Sequence, residues 1–248
     1  MTGRMALITG GESGIGLATA RRFVANGAAV HLAGLDADRL HAAAADLGAA
    51  ATVSVTDVRD GAQVHAAVHT AAQRLGRLDV VFSNAGISGP VTPLVDYPEE
   101  AFRQVVDVHV LGAFHLLRQA VPLMRPGGSI VINSSVVGLR ADAGIAGYAT
   151  AKHAQVGLMR VAAKECAPLG IRVNTIHPGP TDTAFQRAIE VAATGADPVT
   201  AAGVFNGMIP LGRHAGVEEI AAVVLFLAGP DSTFITGATI PVDGGMSS

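Results

Sequence analysis

The chain has 248 residues, 50% hydrophobic and 15% charged, so one large domain can bury a sizeable core. A formal net charge of -3 gives no basic surface, which argues against nucleic acid as a partner. The single cysteine, Cys166, excludes an intrachain disulfide and a cysteine-based zinc site, and no apolar run is long enough for a membrane span. The N-terminus has no signal-peptide pattern, so we expect a cytoplasmic protein of one domain, residues 1–248.

Short apolar runs alternate along the chain with longer, alanine-rich stretches of helical period. The predicted strands are residues 5–9, 29–33, 52–55, 78–83, 129–133, 172–176 and 238–242. The predicted helices are residues 16–26, 37–47, 62–75, 99–124, 148–167 and 218–227, and residues 183–210 predict two short helices broken at 194–198. Apolar strands separated by helices indicate a doubly wound α/β fold, with a parallel sheet covered on both faces.

A glycine-rich loop, Thr9-Gly10-Gly11-Glu12-Ser13-Gly14-Ile15-Gly16, joins the first predicted strand to the first helix. Gly10 permits the sharp turn, Gly14 lets the backbone approach a pyrophosphate, and Gly16 lets the helix pack close to the sheet. The phosphates would face the helix N-terminus, where free N–H groups favour anions. This position in the first βαβ unit predicts dinucleotide binding.

Tyr148 and Lys152 are four residues apart, so a helix places both side chains on one face. A neighbouring ammonium favours phenolate, and we expect it to lower the pKa of Tyr148 from about 10 toward neutrality. Such a tyrosine can give a proton to a carbonyl oxygen or take one from an alcohol. Ser135 follows the predicted strand 129–133, where its hydroxyl could hydrogen-bond the same substrate oxygen. The pair alone is weak evidence, because a solvated helix face often carries the same spacing.

Further motifs stand in order with these: Asn84-Ala85-Gly86, Pro178-Gly179 and Val242-Asp243-Gly244-Gly245. Together the motifs resemble the short-chain dehydrogenase/reductase family over essentially the whole chain. The resemblance implies a Rossmann-type fold with a lid at about residues 183–210. It also implies hydride transfer between a nicotinamide cofactor and a secondary alcohol or ketone. Tyr148 would protonate the carbonyl, Ser135 would hold its oxygen, and Lys152 would tune the tyrosine and bind the nicotinamide ribose.

The resemblance also implies a set of cofactor-binding residues and a choice of cofactor. The set is Gly10, Ser13, Gly14, Ile15, Gly16, Asp36, Asp57, Val58, Asn84, Ala85, Gly86, Tyr148, Lys152, Pro178, Gly179, Thr181 and Thr183. Family members that prefer NAD usually carry an acid at the end of the second strand, where this chain has Gly34. Neither Leu35 nor Ser13 can bind a 2′-phosphate by charge, and Asp36 would repel it, so we expect NAD. NADP is not excluded, because Arg39 could reach a phosphate.

His109 occupies the place at which family members usually carry a fourth catalytic residue, an asparagine. In the family this asparagine holds a water that connects the lysine to solvent. An imidazole can also bind water and titrates near neutrality, so His109 is a candidate for the proton relay. A histidine that only packs within the helix is the alternative.

Several interpretations remain open at this point. The enzymatic alternative is a 3-oxoacyl thioester reductase, and the non-enzymatic one is a nucleotide-sensing protein that kept the fold. His177 could contact substrate or serve only the loop. His65 and His69 have metal-chelating spacing but no third ligand, so we expect no metal site. The resemblance also implies a homotetramer.

Overall fold

The computed structural model describes residues 1–248, apart from the side chain of Leu75. Its centre is a parallel sheet whose strands match the predicted ones to within two residues at each end, except at the start of β5. The strands are β1 (Met5–Thr9), β2 (Ala29–Gly34), β3 (Ala51–Val55), β4 (Leu78–Ser83), β5 (Met124–Asn133), β6 (Arg172–Pro178) and β7 (Thr239–Val242).

Helices follow the strands and cover both faces of the sheet. They are α1 (Gly14–Ala25), α2 (Ala37–Leu47), α3 (Gly61–Leu75), α4 (Glu99–Val106), α5 (Gly112–Ala120), α6 (Ala146–Cys166), α7 (Ala184–Thr194), α8 (Pro198–Gly207) and α9 (Val217–Ala228). The break predicted between the two short helices is confirmed, because Gly195 ends α7 with φ 67° and Asp197 caps α8 just before Pro198.

The seven strands run in the order β3-β2-β1-β4-β5-β6-β7, and all six pairings are parallel. The direction of winding reverses between β1 and β4. Ligands of doubly wound folds bind at this reversal, outside the carboxyl ends of the strands. The glycine-rich loop leaves β1 at that point, so the fold places the predicted nucleotide loop where a crevice opens.

Two apolar layers hold the helices to the sheet. On one face, α3, α5 and α6 bury side chains such as Val68, Leu116 and Met159 against the strands. On the other face, α1, α2 and α9 bury side chains such as Phe23 and Leu40. Because these buried side chains hold the helices against the sheet, each helix begins at a fixed place relative to the sheet edge that carries the site.

The predicted helix 99–124 is wrong as one regular helix. A π-helical turn, Asp107–Leu111, separates α4 from α5, and it contains His109. The helical segment then ends in a short 3-10 turn, and β5 begins at Met124, five residues before the predicted strand. No helix in the described part of the chain is both long enough and apolar enough to cross a bilayer.

Candidate active site

The glycine-rich loop lines one wall of a cavity of about 670 Å³ at the carboxyl edge of the sheet. Gly10 and Gly14 have φ values of 61° and 48°, in the left-handed region that favours glycine. A Cβ on Gly16 would lie 2.1 Å from the carbonyl oxygen of Gly10. Ser13 caps α1 without a side-chain hydrogen bond, so no side chain there competes with an anion for the first N–H groups of the helix.

Asn84 ties this loop to the neighbouring strands. Its Nδ2 donates to the carbonyl oxygens of Thr9 and Gly10, both at 3.0 Å, and its Oδ1 accepts from Asn133 Nδ2 at 2.9 Å. The backbone N–H groups of Asn84 and Ala85 donate to Thr9 Oγ1. Asn84, which directly follows β4, therefore fixes the shape of the glycine-rich loop.

Ser135, Tyr148 and Lys152 line the same cavity from two elements. Ser135 follows β5, and its Oγ accepts a hydrogen bond from the backbone of Val137 at 3.3 Å. Lys152 on α6 is only 3% exposed, and its Nζ donates to the carbonyl oxygen of Asn133 at 2.7 Å. The same Nζ lies 5.3 Å from the ring centroid of Tyr148, which is half-buried.

The expected acidification of Tyr148 is wrong for this geometry. Burial of the phenol raises the pKa of Tyr148 to about 12, although a hydrogen bond with Ser135 opposes that rise. Burial also lowers the pKa of Lys152 to about 7, so its charge is only partial near neutral pH. Because the amine is weakly charged and bonded to the backbone of Asn133, desolvation of the phenol dominates. Tyr148 therefore keeps its proton at neutral pH and is set to donate it.

His109 lies against the strand-end loop after β4. Its Nε2 is 2.7 Å from the carbonyl oxygen of Ile87, and the side chain is 1% exposed. A Cβ on Gly86 would lie 2.4 Å from His109 Cε1, so the glycine makes room for the ring. The ring also meets Tyr148 edge-on, with centroids 5.4 Å apart. The backbone carbonyl of His109 accepts a hydrogen bond from Gln155 Nε2 at 2.9 Å.

Burial, reinforced by Lys152, holds the pKa of His109 well below its usual range, although a backbone contact with Ile87 opposes the shift. The expectation that His109 titrates near neutrality is therefore wrong, since the imidazole stays neutral at physiological pH. Its Nδ1 is buried and has no hydrogen-bond partner among the described residues.

The two carboxylates predicted near the ends of β2 and β3 are engaged by other groups of the protein. Asp57 and Val58 line the cavity, but the Asp57 carboxylate is bonded to Arg59 at 2.6 Å. This contact lowers the pKa of Asp57. Asp36 is exposed, and its side chain accepts from the backbone of Arg39 at 3.0 Å as the cap of α2. Asp36 is not among the residues that line the cavity, so its expected place in the cofactor site is not borne out by geometry.

The opposite wall is formed by the segment from β6 to α7. Pro178, Gly179, Thr181 and Thr183 line the cavity. Thr183 caps α7, its Oγ1 accepting from the backbone of residue 186 at 3.1 Å. A Cβ on Gly14 would lie 3.4 Å from Thr183 Cγ2, so the start of α7 lies next to the glycine-rich loop.

The structure thus brings most of the predicted site residues together around one cavity. Those that line it are Gly10, Ser13, Gly14, Ile15, Asp57, Val58, Asn84, Ala85, Gly86, His109, Ser135, Tyr148, Lys152, Pro178, Gly179, Thr181 and Thr183. Gly16 is not among them, because its role is the close packing of α1 against the loop.

Two residues, Asn133 and Glu12, have a part in this site that was not predicted from the sequence, and the role of a third, His177, had been left open. Asn133 presents its carbonyl to Lys152, a role that any residue type could fill and that no motif signals. Glu12 lines the cavity. The presence of an acid in the loop, together with the missing acid at Gly34 on β2, could have pointed to this residue in the sequence. His177 is fully buried, and its Nδ1 contacts the carbonyl oxygen of Ser135 at 2.7 Å, so it supports the serine instead of contacting substrate.

The spaced histidines of α3 form no metal cluster. The rings of His65 and His69 have centroids 4.1 Å apart, and His65 Nδ1 contacts Gln119 Oε1 at 3.0 Å. Among the described residues, no group of three or more histidine, cysteine, aspartate or glutamate side chains is placed to hold a metal ion.

Known proteins resemble this chain over its full length. A family model described as enoyl-(acyl carrier protein) reductase, which belongs to the short-chain dehydrogenases/reductases, matches residues 10–247. Levodione reductase of Leifsonia aquatica is 38% identical, over 99% of this chain and 95% of that protein. The chain belongs to the short-chain dehydrogenase/reductase family.

Solved structures of this family superpose closely on the chain. The crystal structure of levodione reductase has a TM-score of 0.97 over 100% of this chain and 98% of that one, at 38% identity. NAD+-bound xylitol dehydrogenase has a TM-score of 0.93 at 33% identity, covering 98% of this chain and 99% of that one. Cyclohexanol dehydrogenase of Acinetobacter sp. (strain SE19) is 34% identical, over 99% of this chain and 95% of that protein.

Proposed function

We propose that the protein is an NAD-dependent oxidoreductase that interconverts neutral secondary alcohols and ketones. One observation carries this conclusion. The side chains of Ser135, Tyr148 and Lys152 line the same cavity as the glycine-rich loop, which has the shape of a phosphate-binding loop. A scaffold protein has no use for a proton-donating trio at that place.

The residues present fit a nicotinamide dinucleotide. The start of α1 offers N–H groups to a pyrophosphate, because the side chain of Ser13 forms no cap hydrogen bond there. Glu12 Oε2 is buried and has no hydrogen-bond partner among the described residues, which suits a ligand with hydroxyl donors. The proposed holding residues are the loop, residues 57–58 and 84–86, Lys152 and residues 178–183. Bound there, the nicotinamide supplies or accepts the hydride.

Proton handling falls to this chain's own side chains. Because the pKa of Tyr148 is raised to about 12, the phenol is protonated at neutral pH and can donate to the oxygen of a ketone as it gains negative charge. Ser135 is placed to hydrogen-bond that oxygen and to orient it. Lys152, with a pKa of about 7, can pass a proton toward Tyr148 after each turnover. A protonated phenol is the form that ketone reduction requires.

The walls beside Tyr148 favour a neutral, apolar substrate. Val136, Val137, Ile209 and Met246 form a small apolar cluster against which Tyr148 packs. Phe185 on α7 lies with its ring centroid 6.3 Å from that of Tyr148. Two of the relatives are named for a dione and for cyclohexanol, so cyclic ketones and alcohols are the first substrates to test. In this proposal α7 and α8, within residues 183–210, act as the lid.

A 3-oxoacyl thioester reductase is the second candidate, because the matching family model is described by an acyl-carrier-protein substrate. A carrier's phosphopantetheine arm would need a basic patch beside the cavity. Arg140, in the loop before α6, donates to Asp142 at 2.6 Å, so its charge is compensated there. We therefore rank the thioester below the simple ketone.

We also propose a cytoplasmic homotetramer. Cys166 is a free thiol, which suits a reducing compartment. Exposed apolar side chains lie on α5, on α6 and just before β7, among them Phe114, Val161 and Phe234, and such side chains are typical of contact surfaces. Light scattering coupled to size-exclusion chromatography tests the assembly, and a monomer at micromolar concentration would contradict it.

The experiment that tests the function is an absorbance screen for reduced nicotinamide. Cyclic and open-chain ketones, the matching alcohols and a 3-oxoacyl thioester are each tried with NAD(H) and NADP(H). We expect turnover of cyclic ketones with NADH and a loss of about 100-fold or more in the matched variant Tyr148→Phe. Binding of NADH without turnover of any substrate would favour the nucleotide-sensing alternative.

A further inference from the structure

The side chain of Glu12 occupies the space that β2 leaves empty. Gly34 is the last residue of β2, and it stands where an NAD-preferring relative would be expected to carry an acid. A Cβ built on Gly34 would lie 2.2 Å from Glu12 Oε2 and 2.6 Å from Oε1. Both residues line the cavity. A carboxylate carried by the loop after β1 thus lies where a side chain from β2 would begin.

This carboxylate is not committed to another protein group. Its Oε2 is buried and has no hydrogen-bond partner in the described part of the chain. Leaving a buried carboxylate oxygen without a donor is unfavourable, so the site is completed by a ligand that brings one. Two adjacent ribose hydroxyls supply such donors, whereas a phosphate on that ribose brings like charge.

The cations around this corner are mostly engaged elsewhere. Arg21 pairs with Asp46 at 2.9 Å, and Arg59 pairs with Asp57 at 2.6 Å. Arg39 lines the cavity and is exposed, and it forms no ion pair within the described residues. Two opposite charges could therefore act on a ligand at this end of the cavity. Glu12 is partly buried beside Gly34, whereas the charge of Arg39 is solvated. A partly buried charge acts more strongly on a nearby ligand than a solvated one.

We propose that Glu12 sets the cofactor specificity of this enzyme. Its carboxylate accepts hydrogen bonds from the 2′- and 3′-hydroxyls of the adenosine ribose and excludes a 2′-phosphate. This inference rests on the proposed function and assigns NAD preference to a loop residue instead of the end of β2. It also makes Gly34 a partner of Glu12, because any side chain at Gly34 would displace the carboxylate. Asp36, the acid expected from the sequence, has no part in the choice.

Binding of cofactor fragments tests this without any turnover. Isothermal titration calorimetry compares ADP-ribose with its 2′-phosphate analogue for wild type, Glu12→Gln, Glu12→Ala and the double variant Glu12→Ala/Gly34→Asp. Asp36→Asn is the matched control, since it removes the same charge nearby and asparagine also caps helices well. Unfolding temperatures of each variant confirm that the fold is kept.

We expect wild type to bind ADP-ribose at least about tenfold more tightly than the 2′-phosphate analogue, from lost hydroxyl bonds and like-charge repulsion together. Glu12→Gln should gain affinity for the analogue, Glu12→Ala should also lose affinity for ADP-ribose, and the double variant should recover the wild-type preference. An unchanged preference in Glu12→Ala, or an equal change in Asp36→Asn, would overturn the inference. Failure of wild type to bind either fragment would instead overturn the proposed function. A wild-type preference for the 2′-phosphate analogue would overturn the inference and indicate that Arg39 determines the cofactor.

Discussion

The amine of Lys152 donates a 2.7 Å hydrogen bond to the backbone carbonyl of Asn133, at the end of β5. The contact fixes the amine beside Tyr148 through main-chain geometry. It also leaves the amine buried without a carboxylate partner, which is why its pKa falls to about 7.

Replacing Tyr148 by phenylalanine should remove the proton donor and keep the cavity. We expect kcat for ketone reduction to fall about 10²- to 10⁴-fold, the usual contribution of a positioned acid. The dissociation constant for NADH, measured by fluorescence, should stay within about threefold of wild type if the phenol acts on substrate and not on the fold. Full activity in Tyr148→Phe would remove the phenol from the mechanism.

The buried amine makes stability depend on pH. The pKa of Lys152 is about 7 in the folded chain and 10.5 for an ordinary lysine, so between these values the unfolded chain binds more protons there. Stability from this residue therefore rises with pH across that window, and the full penalty is present below pH 7. Lys152→Met should be relatively more stable at pH 7 than at pH 9, the difference changing by at most about 1.4 kcal/mol per pH unit.

Urea unfolding at several pH values measures this difference. Lys164→Met is the control, because Lys164 is an exposed lysine on the same helix. A Lys152→Met difference that does not change with pH would mean that the amine keeps an ordinary pKa.

Because His109 is neutral, replacing it by asparagine should leave the pH–rate profile unchanged between about pH 6 and 8, where an unperturbed histidine would titrate. We expect kcat within a few-fold of wild type, since an amide can also contact the Ile87 backbone. A profile that loses an inflection in His109→Asn would restore histidine to the proton relay.

Gly86 and His109 should be energetically coupled. A methyl group on Gly86 would lie 2.4 Å from the imidazole, so Gly86→Ala should destabilise the protein and slow turnover. In Gly86→Ala/His109→Asn the smaller side chain should relieve the clash. A double-mutant cycle of unfolding free energies should give a coupling of about 1 kcal/mol or more, and additive effects would contradict the contact.

A buried carboxylate connects the two proposed lid helices, α7 and α8. Glu190 on α7 is 1% exposed, and its Oε1 contacts His214 Nε2 at 2.5 Å and accepts from Gln186 at 2.9 Å. His214 in turn contacts Asn206 of α8 at 2.8 Å. Glu190→Ala leaves these groups without a partner, so we expect a lower unfolding temperature and a several-fold higher KM for ketone.

Binding of ADP-ribose should be unaffected in Glu190→Ala, because the change lies on the substrate side. Glu218→Ala is the matched control, since Glu218 is exposed at the start of α9. If both variants raise KM equally, the buried contact does not position the lid.

The sequence predicted the order of strands and helices because apolar runs of strand length and alanine-rich helical stretches alternate clearly. It also predicted that Ser135, Tyr148 and Lys152 lie together. The prediction was possible because Tyr148 and Lys152 are four residues apart on one helix and Ser135 directly follows a strand of the sheet. The raised pKa of Tyr148 could not be predicted, because desolvation depends on which atoms surround a side chain in three dimensions. The role of Asn133 could not be predicted either, because it acts through its backbone carbonyl, which every residue type has.

The position of Glu12 shows the same limit in another form. Gly34 suggested a missing acid, and Asp36 was the nearest acid along the chain. In the structure Asp36 caps α2, while the carboxylate beside Gly34 comes from a loop 22 positions earlier in sequence, across two parallel strands that pair in register. Distance along the chain was a poor guide because β1 and β2 bring separate segments to one edge.

The π-helical turn at Asp107–Leu111 gives the chain one adjustable point. A turn of this kind holds an extra residue within a helix, and such turns are frequent at functional sites. We expect that deleting one residue there would close the wide turn and move the ring of His109 relative to Tyr148. The length of this single turn therefore sets a contact of the active site, while the seven strands of the sheet come from other parts of the chain.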